Sequence, residues 1–326
     1  MIGIYALSFL TTFVIAVLLT KAVITLSSSF HLFSKKRLRD IHEMDISRFG
    51  GIALFFSFWL VIFFHPLLIP SGRLAGLFIA SAILCIGSLC DDFYEQTWKF
   101  QLAFQGIALV PLILSGLRID FIRDPFGGII FFSPVIGIIA LGIWIIFLIN
   151  AINWLDGVDG LASMVGLIAI LSLFFLVLKS DVNQPPLALA NIIMAGAIAG
   201  FALYNFPPAK IFLGTMGANF LGFFLATQAL FAGGKLATVT LVLTPFLFDA
   251  LFVIYTRIKE NRSPFIADHA HLHFRLLKKG LSPKIILLFY LFMSSALGIT
   301  ALIANTKEKF IILAMAMIVS FLISLA

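Results

Sequence analysis

Apolar runs and short polar stretches alternate along the whole chain. A bilayer core needs about 20 apolar residues per helix. By that measure the pattern predicts eleven membrane-spanning helices, at roughly 2–26, 50–69, 74–90, 100–116, 130–149, 161–178, 187–204, 211–231, 236–256, 284–303 and 309–325. Backbone groups inside lipid must be paired within the chain, so helices are the default. The first 20 residues are apolar and Lys21 is the first cation. Residues 2–26 are therefore expected to remain as a first span, since a cleaved leader wants a positive start. No repeat, low-complexity tract or heptad pattern interrupts the series. The expected fold is an all-α, polytopic membrane bundle, one unit over residues 1–326, with a single long polar loop at 257–283.

Composition removes the soluble alternative. Of 326 residues, 61% are hydrophobic and 11% charged, whereas soluble domains carry about 25% charged residues. The net charge of +7 would invite nucleic acid in a soluble protein. Here the cations sit in short loops, so they report topology, and no nucleic-acid partner is expected. With residues 27–49 on one side, that side collects 15 of the 22 Lys and Arg. The positive-inside rule makes it cytoplasmic, with the N-terminus outside and the C-terminus inside. Cys85 and Cys90 share one apolar run and are expected to be buried thiols.

That orientation gathers the unusual polar clusters on the cytoplasmic face. Asp91 and Asp92 close the third span. Neighbours on a helix point about 100° apart, so one carboxylate can face a metal or phosphate while the other holds a neighbour; an interfacial cap facing water is the alternative. In "NAINWLDGVDG" (150–160), Asn150 and Asn153 neighbour each other, as do Asp156 and Asp159. Gly157 and Gly160 allow the helix to end there, letting these side chains converge on a cation or sugar. Mg²⁺ takes one or two carboxylates and completes its shell with water and phosphate. A plain turn between helices explains the glycines but not the asparagines. "DHAHLHFRL" (268–276) carries His269, His271, His273 and Arg275. Zinc is disfavoured, because no Cys accompanies them and His271 and His273 would diverge on a helix. A loop that grips a polyanion through Arg275 fits better; a basic loop drawn to anionic headgroups is the alternative. "HEMDISRFGG" (42–51) adds His42, Arg48 and a Gly pair suited to close helix packing.

In order and spacing, from about residue 35 to 283, these clusters resemble the polyprenyl-phosphate N-acetylhexosamine-1-phosphate transferase family, which includes the muramoyl-pentapeptide transferase. "NAINWLDGVDGL" matches the family's N-x-x-N-x-x-D-G-x-D-G-L segment in full. "DDFYEQTWKFQLAFQ" is similar to its Asp-Asp segment, with Gln105 at the matching distance. "HEMDISRFGG" and "SPFIADHAHLHFRLLKKGLS" resemble its first motif and histidine loop. The resemblance implies transfer of a sugar 1-phosphate from a UDP-sugar to undecaprenyl phosphate, with Mg²⁺ or Mn²⁺ and release of UMP, for cell-envelope polysaccharides such as lipopolysaccharide. It implies a multi-pass protein of the bacterial plasma (inner) membrane, with the bilayer, the UDP-sugar and the lipid phosphate as partners; a homodimer is one assembly compatible with it. Carried over residue by residue, Asp91, Asp92 and Asp159 are expected to be catalytic. His42, Arg48, Lys99, Asn150, His271, His273 and Arg275 are expected to bind substrate, and Asn153 and Asp156 to bind metal.

The chain also departs from the pattern. Thr215 stands where the family has a metal-binding Asp in G-D-x-G-S, and a neutral hydroxyl is a poor Mg²⁺ ligand. Gln101 replaces a family Lys or Arg, one imidazole of the histidine loop is Phe274, and Asp45 and Ser47 replace two prolines. Two rival readings follow: a non-catalytic relative that binds polyprenyl phosphate or a partner enzyme, and a transporter. The transporter predicts polar residues in mid-span, whereas these lie at one face.

Overall fold

The structure is a computed structural model that describes residues 2–30, 46–124, 128–180, 182–232, 236–263 and 269–325, with the side chains of 123 and 323–325 excepted. It is an all-helical membrane bundle. In chain order the helices are α1 (Ile2–Ser29), α2 (Gly50–Phe64), α3 (Gly72–Tyr94), α4 (Trp98–Leu114), α5 (Pro134–Leu155), α6 (Leu161–Leu178), α7 (Pro185–Asn205), α8 (Gly214–Phe231), α9 (Leu236–Lys259), the short α10 (Leu272–Lys278), α11 (Pro283–Ile303) and α12 (Thr306–Leu325). Each of the eleven expected spans coincides with one long helix. Seven of these helices (α1, α3, α5, α6, α7, α9 and α11) are long and apolar enough to cross a membrane by length and composition.

Local chemistry sets the starts. Ser71, Thr97, Ser133 and Ser282 each accept a hydrogen bond from the backbone N–H three residues on, beginning α3, α4, α5 and α11. Pro134 and Pro283 follow two of these caps, in the first helical turn, where no intrahelical donor is missed. The division of the third and fourth spans falls at Glu95, whose left-handed φ of 49° ends α3.

One expectation needs correcting at residue 130. The fifth span was expected to begin there, but β1 (Phe121–Arg123) pairs antiparallel with β2 (Ile129–Phe131), and α5 starts only after the Ser133 cap. The β2 strand, Ile-Ile-Phe, has the composition of a span, so the apolar run extends past the helix.

The core lies around α8. Every residue from Gly214 to Ala229 is buried, and α2, α3, α5 and α6 pack around it. The outward faces of α1, α11 and α12 instead expose Leu7, Leu10, Leu18, Leu288, Phe292, Ile299 and Ile318, as a lipid-facing perimeter should. Lipid tails are as apolar as leucine, so close packing holds helices together inside a bilayer. Gly196 and Gly200 of α7 show this: a Cβ on either would lie 2.5 Å from a carbonyl oxygen of α1, that of Phe9 or Phe13.

Candidate active site at one end of the bundle

At one end of the bundle, the segment before α2 is stitched to the start of α8. Phe212 N–H donates to the Ser47 carbonyl (2.8 Å), and Gly50 and Gly51 N–H donate to the carbonyls of Phe212 (3.1 Å) and Leu213 (2.9 Å). This brings buried Arg48 beside Gly214, whose φ of 74° suits glycine and where a Cβ would collide with the Arg48 carbonyl.

The aspartate pair of α3 meets this junction. Asp91 and Asp92 are 2% and 1% exposed, so the water-facing cap is excluded. They divide the work by helical geometry. Asp92 accepts from the backbone N–H of Thr215 (2.8 Å) and Met216 (2.9 Å), supplying from another helix the cap that α8 lacks. A carboxylate at the positive end of a helix is favourable there. Asp91 accepts from the Thr215 hydroxyl (2.9 Å) and from Gln96 N–H (2.8 Å). Thr215 therefore acts toward Asp91 as a hydrogen-bond donor.

A second wall comes from the end of α5. The helix stops at Leu155, residues 156–160 turn, and Gly160 takes a left-handed φ of 72° before α6. Asn153 and Asp156 are half-buried at this end. Asp159 is buried and accepts from Ala209 N–H (2.9 Å). Asn205 donates to the Ile211 carbonyl (2.9 Å) and accepts from Ser163 (2.7 Å). Through residues 205–213 the α5 end is thus continuous with the Asp91–Thr215 junction.

The histidine loop packs on the same end. His271 was expected to diverge from His273. Instead it is the N-cap residue of α10, with extended backbone (φ −62°, ψ 147°), so only His273 is helical. The two rings stack 5.8 Å apart at 5°, and His271 also stacks on Trp154 at 5.8 Å. His273 and Phe274 lie against Gly157, leaving no room for a Cβ there. Arg275, in the last turn of α10, is half-buried.

Other expected residues have different surroundings. Asn150 was expected at the substrate; its amide is engaged with Gln105 of α4 (2.8 and 3.4 Å) and the Ile146 carbonyl (2.8 Å), a helix-to-helix tie. Lys99 is exposed, with its ammonium 5.6 Å from the Trp98 ring. His42 lies outside the described residues. Asp249 of α9 escaped the sequence reading, although an acid inside an apolar run is costly and signals a partner. It is buried and bonds His271 Nδ1 (2.8 Å) and Leu272 N–H (2.9 Å). Arg257, read as a loop cation, is buried at 1% exposure.

Among the described residues no group of three His, Cys, Asp or Glu gathers closely enough to hold a metal. The donors at the α5 end, Asn153 and Asp156, fit instead a divalent ion that takes one or two protein ligands and the rest from phosphate and water.

The profile of glycosyl transferase family 4 matches residues 74–233. The chain is 29% identical to the decaprenyl-phosphate N-acetylglucosaminephosphotransferase of Mycobacterium leprae, over 88% of this chain and 81% of that protein. It is 28% identical to the undecaprenyl-phosphate alpha-N-acetylglucosaminyl 1-phosphate transferases of Pasteurella multocida (94% of this chain, 87% of that one) and Haemophilus influenzae (97% and 91%). The class this points to is that of the family 4 glycosyl transferases, which the chain resembles over residues 74–233. Over most of its length the chain is similar to polyprenyl-phosphate N-acetylglucosamine-1-phosphate transferases.

Proposed function

We propose that the chain moves an N-acetylhexosamine 1-phosphate from its UDP-sugar to a polyprenyl phosphate at the inner face of the bacterial plasma membrane. N-acetylglucosamine, the sugar in the relatives' names, is the first donor to test. The observation that carries this reading is the convergence at one bundle end of Asp91, Thr215, the α5 terminus and the histidine loop.

In the proposed reaction an oxygen of the lipid phosphate attacks the sugar-linked phosphorus. The bond to the bridging oxygen breaks, and UMP leaves with its electron pair. Such transfers depend on positioning and charge neutralisation. Asp91, fixed by Thr215 and Gln96, orients the lipid phosphate and accepts its proton. His271, His273 and Arg275 bind the donor diphosphate, with Arg48 on the opposite wall. Asp92 holds the start of α8 against α3, and Asp159 holds the α5–α6 turn. A divalent ion, Mg²⁺ or Mn²⁺, would neutralise diphosphate charge when bound, with Asn153 and Asp156 as its protein ligands. A lipid carrier explains why such a site borders the hydrocarbon.

The test is to incubate purified protein with labelled UDP-N-acetylglucosamine, undecaprenyl phosphate and Mg²⁺. Labelled lipid and UMP are expected, and Asp91→Asn should lower the rate at least about 100-fold, within the range for a lost general base. An unchanged rate in Asp91→Asn would remove Asp91 from the reaction. No product from this or related UDP-sugars would leave a lipid-binding, non-catalytic protein.

A further inference from the structure

We infer that Asp249 is a positioning residue for donor binding: it fixes the ring of His271 and the start of α10 from outside the loop that carries them. The inference rests on the proposed role of His271 at the donor diphosphate.

Asp249 sits in α9, 22 residues before His271, and both side chains are nearly sealed, at 7% and 6% exposed. Its oxygens have separate tasks. Oδ2 meets His271 Nδ1 at 2.8 Å, and Oδ1 accepts from Leu272 N–H at 2.9 Å. An ionised carboxylate can only accept, so Nδ1 must carry the proton, and the hydrogen bond selects the tautomer. The chemistry of the ring is then left to Nε2. The second bond caps α10, whose own N-cap side chain makes no capping bond. One carboxylate thus sets both the ring and the helix that presents His273 and Arg275. Trp154 stacks on one ring contact of His271 and His273 on another, which limits rotation. The charged and titratable neighbours are His273 and Arg275 from α10 and Tyr290 from α11, the last within electrostatic reach of both Asp249 and Arg275. Among the described residues Asp249 is the partner of Nδ1, so the burden falls on it.

The substitution Asp249→Asn keeps shape and removes one acceptor. It is expected to raise the donor KM by about 10- to 100-fold, the size of loss when a metal-bound imidazole loses its outer partner, with the lipid-phosphate KM within twofold. Asp249→Glu, which keeps the charge, should recover most of the loss. His271→Asn retains a donor toward Asp249 but lacks Nε2; it should match the Asp249→Asn loss, and the double variant should lose little more. Unchanged donor KM, equal loss for both substrates, or additive losses would each overturn the inference. Donor binding is also read directly, by the thermal shift that UDP-N-acetylglucosamine gives the purified protein. A wild type that binds donor without turnover would refute the transferase reading alone. A shift of equal size in wild type and Asp249→Asn would refute the role of Asp249.

Discussion

Thr215 is where this chain's chemistry differs most plainly from the motif it otherwise follows. Its hydroxyl and its backbone N–H are bonded to different carboxylates, Asp91 and Asp92, on successive residues of α3. The neutral hydroxyl steadies the buried Asp91 carboxylate by a hydrogen bond, without any ion. Introducing a third carboxylate there reverses the balance. We expect Thr215→Asp to lower the melting temperature in chelator and to regain stability on adding millimolar Mg²⁺, with a Mg²⁺-dependent shift several degrees larger than in wild type. Melting curves with and without the ion measure this independently of turnover. Equal shifts in both proteins would separate residue 215 from any cation.

At the scale of elements, the start of α8 is held by backbone contacts that tolerate no side chain. Gly214 combines positive φ with the Arg48 carbonyl where a Cβ would stand, so Gly214→Ala should cost more than about 2 kcal/mol, strain and collision together. Gly106 in α4 is the matched control, because a Cβ there meets nothing within 4 Å. Gly106→Ala should be neutral or stabilising by up to about 1 kcal/mol. Thermal unfolding of the two variants in one detergent decides it; equal losses would mean the junction does not limit stability. Much of the element plan was legible in the sequence. Lipid demands long apolar runs, and Ser71, Thr97, Ser133 and Ser282 mark where helices begin. The hairpin was hidden because its second strand is as apolar as the span beside it. The His271 orientation was hidden because it turns on the backbone angles of a single residue, and Asp249 because a partner 22 residues away follows no periodicity.

For the whole molecule, the segregation of polar clusters to one end was legible from motif order and loop charge. Their joining was not: the Asp91–Thr215 bond spans 124 residues and the Asp159–Ala209 bond 50. The side on which this end lies follows from charge and is open to direct measurement. In a chain with Cys85 and Cys90 replaced, a single Cys at Lys278 should resist an impermeant maleimide in intact cells and react after permeabilisation. A Cys at Arg118 should react in both. The opposite pattern would invert the bundle and exclude cytoplasmic UDP-sugar as donor.

The burial of α8 also bears on how the protein is made. It carries Thr215, Asn219, Thr227 and Gln228, has no face left for lipid, and is absent from the helices apolar enough to cross alone. Its entry into the bilayer therefore depends on earlier-synthesised neighbours waiting to receive it. The reaction centre, built on its first turn, takes shape only once that company has assembled.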